Sequence, residues 1–174
     1  MKPTLFGVDA SLLLGAFACF AAAVISATIA RRRTAGQRSA WSWVAVAQCL
    51  FGMEMLLGLR YRWHDAAEAS LRANDWYASR EPLQAALIAM VALFLAVVAA
   101  FAWRLSRSDG PAAWAACASA VTAALLLVEA VSLHAVDAVM YRPAGPVVLL
   151  AWAWALASAA VVLAAIVALR RAAR

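Results

Sequence analysis

Residues 41–82 carry the sequence WSWVAVAQCLFGMEMLLGLRYRWHDAAEASLRANDWYASREP, which begins as an apolar span and ends as a polar segment rich in arginine and aromatic residues. One carboxylate, Glu54, lies inside the apolar part. A carboxylate in hydrocarbon costs about 2.5 kcal/mol or more even on lenient insertion scales, so it is expected to face protein and to have a partner. The stretch therefore predicts a membrane helix with a site near the point where it leaves the bilayer.

The composition of the whole chain places it in the membrane. Of its 174 residues, 67% are apolar and only 14% are charged, against about 25% charged in soluble domains. The mean hydropathy is +0.83. Long alanine, leucine and valine runs favour helices, because barrel strands would alternate apolar and polar residues. We therefore expect an all-α integral membrane protein with a single transmembrane domain, residues 1–174.

Five transmembrane helices are predicted, with an amphipathic interfacial segment at residues 60–81 between the second and the third. The first apolar run begins like a signal peptide, but it is longer than a signal peptide requires and ends in three arginines, so a retained helix is favoured. The predicted spans are residues 8–30, 41–59, 82–103, 112–133 and 146–169.

The arginines at the span ends predict the orientation. Nine of them fall at the same predicted side against a single acid, Asp109, and the remainder of the chain is slightly acidic. Because cytoplasmic loops are enriched in basic residues, we expect the N-terminus outside and the C-terminus inside a bacterial-type inner membrane. The membrane also explains the net charge of +6 without any nucleic-acid partner. These arginines are Arg31, Arg32, Arg33, Arg38, Arg104, Arg107, Arg170, Arg171 and Arg174.

Two acids well inside the predicted spans, away from their ends, indicate a pocket. Glu54 and Glu129 lie about 9 Å and about 7.5 Å inside the outer boundary, in the same leaflet. If the second helix continues straight to Arg72, several polar residues share one face with Glu54. We therefore expect an outward-opening pocket. The residues on that face would be Gly58, Tyr61, Asp65, Glu68 and Arg72.

A haem or metal site is one interpretation of this pocket. His64 and His134 are the two histidines of the chain, and both are predicted at outer helix ends. Two facing imidazoles can ligate haem iron axially. His134 and Asp137, one helical turn apart, can instead form a mixed nitrogen and oxygen metal site with Glu129 or Glu54.

Lipid or quinone head-group chemistry is a second interpretation. Arg60, Arg62, Arg80 and Arg142 are suited to phosphate or carbonyl partners, with Glu54, His64 or Glu129 as acid or base. A purely structural alternative also stays open, in which the embedded carboxylates pair with these arginines and fix helix packing. No nucleotide, cofactor or protease motif is present in the sequence.

The leading hypothesis is a multi-pass inner-membrane protein, non-catalytic by itself, whose outward-facing pocket binds a partner subunit or a small lipid-like ligand. The rivals are a membrane haem or metal redox protein using His64 and His134, and a lipid- or quinone-modifying enzyme. The expected partners are the bilayer and a membrane subunit or second copy. The candidate ligand-binding residues are Glu54, Arg60, Arg62, His64, Arg80, Glu129, His134 and Asp137.

Overall fold

The computed structural model describes residues 4–5, 8–74, 81–106, 110–131 and 134–172, and most of these residues are helical. The predicted all-α fold class is confirmed in this part of the chain. In chain order the helices are α1 (Ala10–Arg31), α2 (Ala35–Leu57), α3 (Leu59–Ala73), α4 (Glu81–Ser106), α5 (Pro111–Val131), α6 (His134–Met140) and α7 (Leu149–Ala172).

Four helices are long and apolar enough to cross a membrane, namely α1, α2, α5 and α7. The four helices are therefore compatible with a multi-pass membrane protein. In α4 the apolar stretch found among the described residues is shorter and covers Ala85–Val98. Large apolar side chains on the outer faces of the four long helices are exposed, as expected for surfaces that contact lipid. They include Phe17, Val24, Leu50, Val121, Leu156 and Leu163.

The four long helices form a bundle in which α1 and α7 run in one direction and α2 and α5 run in the other. α1 packs against α2 and α7, α7 packs against α5, and α2 and α5 meet less extensively. α4 packs beside α5. One end of the bundle holds Glu54 and Glu129 and is called the carboxylate end; the other holds Arg33 and Arg171 and is called the arginine end. α1 and α7 begin at the carboxylate end, whereas α2 and α5 finish there.

Small side chains allow the helices to approach closely. Alanine is the most frequent residue at the buried positions of α1, α5 and α7, in line with the general enrichment of small residues at membrane helix interfaces. Two apolar layers result. The layer toward the arginine end is centred on Ile29, Trp41 and Val161, and the layer toward the carboxylate end is centred on Met55, Leu150 and Trp154.

The second helix does not continue straight to Arg72, so the prediction of one long polar face is wrong. Gly58 adopts a left-handed conformation (φ 61°, ψ 37°), which ends α2 and starts α3 in a new direction. Glycine is the residue that adopts this conformation at least cost. The interruption brings Arg60 back toward Glu54, one turn before the break.

Two short hairpins lie at the carboxylate end. β1 (Thr4–Leu5) pairs with β2 (Val8–Asp9), and β3 (Pro143–Ala144) pairs with β4 (Val147–Val148), both antiparallel. The Val148 amide donates to the Ser11 hydroxyl at 3.2 Å, which ties the second hairpin to the start of α1. The starts of α1 and α7 are thereby fixed next to each other.

Candidate ligand-binding site at the carboxylate end

Arg60 lies at the centre of a buried ionic cluster. Its side chain is only 4% exposed. Its backbone N–H donates to Glu54 Oε1 at 3.1 Å, and its Nη1 donates to Glu54 Oε2. Glu54 therefore binds both the backbone and the guanidinium of the residue that follows the Gly58 break.

Glu129 reaches the same guanidinium from α5. Its side chain is 2% exposed, compared with 21% for Glu54. Arg60 Nη2 donates to Glu129 Oε1 at 3.3 Å. Arg60 Nε lies 2.8 Å from Glu129 Oε2, a close ionic contact whose angles are not those of a hydrogen bond. With two carboxylates and one guanidinium, the three side chains carry one net negative charge.

Two phenols complete the coordination of Glu129. The Tyr61 hydroxyl donates to Glu129 Oε1 at 2.5 Å, and the Tyr141 hydroxyl donates to the same oxygen. Burial raises the pKa of both phenols, and their hydrogen bonds to Glu129 raise it further. Both tyrosines therefore remain protonated donors at physiological pH. These five residues, Glu54, Arg60, Tyr61, Glu129 and Tyr141, are called the Arg60 cluster below.

Aromatic rings enclose the guanidinium. The Arg60 Cζ atom lies 4.3 Å from the centroid of the Tyr61 ring and 5.5 Å from that of Trp154, both within the range of cation–π attraction. Trp154 is 1% exposed. Its indole N–H is buried and has no hydrogen-bond partner in the part of the chain that the structure describes. A buried donor left unpaired costs free energy that a polar ligand or a water can recover.

A cavity of about 320 Å³ lies against this cluster. Its polar lining comes from Glu129 and the two phenols, together with Asp9 and Ser11 at the start of α1. Its volume is at the lower end of the range of small-molecule sites. The rest of its lining is apolar or aromatic and consists of Leu12, Val148 and Trp154.

A second polar group lies deeper, between the two apolar layers. Gln48 of α2 donates to Ser119 Oγ of α5 at 3.0 Å and accepts from Ser158 Oγ of α7 at 3.3 Å. Ser158 Oγ in turn lies 3.4 Å from Cys19 Sγ of α1. One chain of hydrogen bonds thus joins all four spanning helices at buried positions.

The structure brings together three of the predicted site residues and separates others from them. Glu54, Arg60 and Glu129 form the cluster described above. Arg62 is exposed on α3 instead. Asp137 is half-buried on α6, where its carbonyl accepts from the Tyr141 amide at 2.9 Å, so it supports the segment that carries Tyr141.

The side chains of the two histidines that were predicted as metal ligands are outside the part of the chain that the structure describes. His64 lies on α3 and His134 begins α6, but their side chains are outside the described part, and Arg80 is outside it altogether. Among the residues that are described, no group of three or more histidine, cysteine, aspartate and glutamate side chains is arranged to hold a metal ion. The haem and metal interpretation therefore stays a prediction.

Sequence reasoning did not assign Tyr141 and Trp154 to the site. Both lie near the ends of predicted spans, where aromatic residues are typical of the membrane interface, yet the Tyr141 hydroxyl donates to Glu129 and Trp154 is buried against Arg60. Trp152, two residues earlier, is exposed. On a helix, residues two apart point about 200° apart, so only one of these two tryptophans can face the bundle.

Neither protein-family models, nor curated proteins, nor solved structures give a match to this chain.

Proposed function

We propose that this chain is a five-span inner-membrane protein that uses the cavity beside the Arg60 cluster to bind a small ligand with an ammonium group, such as a lipid-like amine. The observation that carries the proposal is the composition of the cavity wall. Two carboxylates, two phenols and an indole ring face one small space.

The path of the chain supports the fifth span. α2 finishes at the carboxylate end and α5 begins at the arginine end. The chain between them therefore has to travel the length of the bundle, and α4 is the long helix in that stretch. With 26 residues it measures about 39 Å, enough to cross a ~30 Å hydrocarbon layer.

Charge supports the orientation. The arginine end would face the cytoplasm, because basic residues concentrate on that side of bacterial inner membranes. The N-terminus and the carboxylate end would then face outward. In this arrangement the cavity opens toward the outer face, where α1 and α7 begin.

The charge balance of the cavity favours a cation. The Arg60 cluster carries one net negative charge, and its Glu129 carboxylate lines the wall. A cation is therefore attracted in a site that is partly shielded from water. Tyr61, Tyr141 and Trp154 contribute aromatic rings to the wall, and aromatic rings favour ammonium groups through cation–π attraction. The unpaired indole N–H and the Ser11 hydroxyl can serve a polar head group attached to that ammonium.

A binding role suits this lining better than catalysis. Bond cleavage by a nucleophile needs that nucleophile held beside an activating base. The described wall consists of carboxylates, phenols, an indole and apolar groups. Its one serine, Ser11, accepts a hydrogen bond from the Val148 amide. The proposal therefore treats the protein as non-catalytic by itself. A partner subunit docking at the same end, and turnover of a lipid or quinone, are its rivals.

The test is thermal unfolding in mild detergent with ethylammonium chloride, compared with sodium chloride at equal ionic strength. We expect the ammonium salt to raise the Tm in a saturable way, because a ligand that binds only the native state stabilises it. The same rise is expected for Glu68→Gln, which removes a carboxylate on α3 outside the cavity wall. It is expected to vanish in Glu129→Gln.

A second variant keeps the test valid if Glu129→Gln fails to fold. Leu12→Phe narrows the cavity and leaves every charge in place, so it should also abolish the ammonium effect. An equal Tm rise with sodium, or an ammonium effect that survives in Leu12→Phe, would contradict the proposal.

A further inference from the structure

A larger groove lies between α2 and α5, toward the arginine end. Its volume is about 910 Å³. Its walls extend from Gln37 to Phe51 on α2 and from Pro111 to Ala123 on α5, which corresponds to about 20 Å along the helices. This length exceeds the ~15 Å thickness of one hydrocarbon leaflet. The groove forms where these two helices pack least closely in the bundle.

The two ends of the groove differ in chemistry. Arg33 and Arg171 lie at its mouth, whereas most of its length is lined by alanine and large apolar residues. Arg33 donates to the Ala168 carbonyl at 2.5 Å and to Gln37 Oε1 at 3.4 Å. Both acceptors are uncharged oxygens, so these bonds position the guanidinium without cancelling its charge.

Two exposed tryptophans indicate the depth of the groove mouth in the membrane. Trp43 lines the groove and is 71% exposed. Trp114, near the start of α5, is also largely exposed. Because tryptophan prefers the membrane–water interface, both rings indicate that the mouth lies at head-group level and that the apolar part continues into the bilayer.

From this arrangement we infer that the groove between α2 and α5 binds an anionic phospholipid, with its phosphate at Arg33 and Arg171 and an acyl chain along the apolar walls. Arginine forms strong, charge-assisted hydrogen bonds with phosphate oxygens. Basic pockets between membrane helices are general binding sites for anionic lipid head groups. The inferred site lies at the opposite end of the bundle from the cavity beside the Arg60 cluster, and it does not depend on what that cavity binds.

The test measures binding of phosphatidylglycerol and phosphatidylcholine to the delipidated full-length protein by native mass spectrometry. We expect phosphatidylglycerol to be retained at least tenfold more strongly, a difference of about 1.4 kcal/mol. Both lipids carry a phosphate, but phosphatidylcholine also carries a choline cation, which the positive charge at the mouth of the groove repels and which phosphatidylglycerol lacks. The double variant Arg33→Gln/Arg171→Gln should lose this preference.

A matched control removes the same charge from the same region. Arg32→Gln/Arg170→Gln replaces two exposed arginines that are one residue away and outside the described groove lining. This control should keep the preference for phosphatidylglycerol. Equal losses in both double variants would mean that the basic surface acts as a whole, and the inferred site would be overturned.

A second pair of variants tests the acyl part without changing charge. Ala123→Phe places a ring in the groove, whereas Val121→Phe places one on the exposed face of the same helix. Retention should fall in the first variant and stay at the wild-type level in the second. If retention is unchanged in Ala123→Phe, the lipid does not occupy the groove and the inference fails.

Discussion

Arg60 and Glu129 are 69 residues apart in the chain, yet Arg60 Nε lies 2.8 Å from Glu129 Oε2 and both side chains are almost fully buried. The pair joins the start of α3 to the end of α5. Glu54 holds the same guanidinium from α2. One arginine therefore connects three helices at the carboxylate end.

Removing the central cation should strongly destabilise the fold. In Arg60→Met, two carboxylates lose their shared partner, and breaking a buried ion pair on one side typically costs about 3–5 kcal/mol. Arg72→Met is the matched control, because the Arg72–Glu68 pair is an exposed pair on α3 and is expected to contribute under about 1 kcal/mol. Denaturant or thermal unfolding in detergent measures both. Similar losses in the two variants would show that the buried cluster does not hold the helices together.

The two phenols of the cluster predict an alkaline pH dependence. The pKa of Tyr61 and that of Tyr141 are raised in the folded state by burial and by hydrogen bonds to Glu129, whereas unfolded tyrosine titrates near pH ~10. Their contribution to stability is therefore fully present below about pH 10 and decreases as the pH rises above it.

Absorbance of the phenolate form measures this shift. At a pH of about 11, just above the unfolded value, the folded wild type and folded Tyr61→Phe/Tyr141→Phe should show equal phenolate signals. After denaturation the wild type should show the larger signal. A larger signal already in the folded wild type would mean that the two phenols ionise in the native state, contrary to the prediction.

An optical spectrum distinguishes the proposed binding role from the haem hypothesis. If the protein binds an ammonium ligand and no haem, the purified protein should show no Soret band in either the oxidised or the reduced state. A Soret band that shifts on reduction and disappears in His64→Ala or His134→Ala would instead support axial ligation by these imidazoles.

The sequence was sufficient to predict that the two embedded carboxylates have partners, because a carboxylate within an apolar span needs one. It also predicted Arg60 as a candidate partner. The sequence could not predict how Arg60 and Glu54 meet, because their geometry depends on the left-handed conformation of Gly58. A glycine within an apolar run is compatible with a continuous helix, so the pattern alone did not reveal the break.

The roles of Tyr141 and Trp154 were also beyond sequence reasoning. An aromatic residue near a span end is typical of the membrane interface whether it faces lipid or protein. Trp152 and Trp154 look equivalent in the sequence, and only helix packing shows that Trp154 is the buried one. The carboxylate that Tyr141 binds, Glu129, is 12 residues earlier in the chain, across the turn that includes α6.

Gly15 is predicted to be intolerant of a side chain. A Cβ atom at this position would lie 2.8 Å from Met55 Sδ and 2.8 Å from Trp154 Cε3. Methionine can move, but the buried indole ring cannot shift without disturbing its contact with Arg60. Gly15→Ala should therefore destabilise the protein by about 1–3 kcal/mol, the usual cost of overpacking.

Gly52→Ala is the comparison for Gly15. There the added Cβ would meet the Phe20 ring at 3.0 Å, and Phe20 is less buried than Trp154. The loss of unfolding free energy should be smaller. If Gly15→Ala is as stable as wild type, then α1 and α7 are separated more widely than the structure indicates.

The hydrogen bonds of Gln48 predict a modest energetic coupling of α2 to α5 and α7. Gln48 is fully buried and bonds to Ser119 and Ser158, so Gln48→Leu keeps most of the side-chain volume but leaves both serines without this partner. Hydrogen bonds between membrane helices average about 0.6 kcal/mol, with a maximum near 1.7 kcal/mol. Gln48→Leu should therefore reduce the free energy of unfolding by about 1–2 kcal/mol, much less than Arg60→Met.

A double-mutant cycle with Ser119→Ala isolates the bond itself. The two single variants and the double variant should yield a coupling energy of about 0.5–1 kcal/mol between Gln48 and Ser119. The matched cycle with Thr122→Ala should give a value near zero, because the Thr122 hydroxyl donates to the Ala118 carbonyl of its own helix. A coupling of zero for Ser119 as well would mean that packing, and not this bond, sets the spacing of α2 and α5.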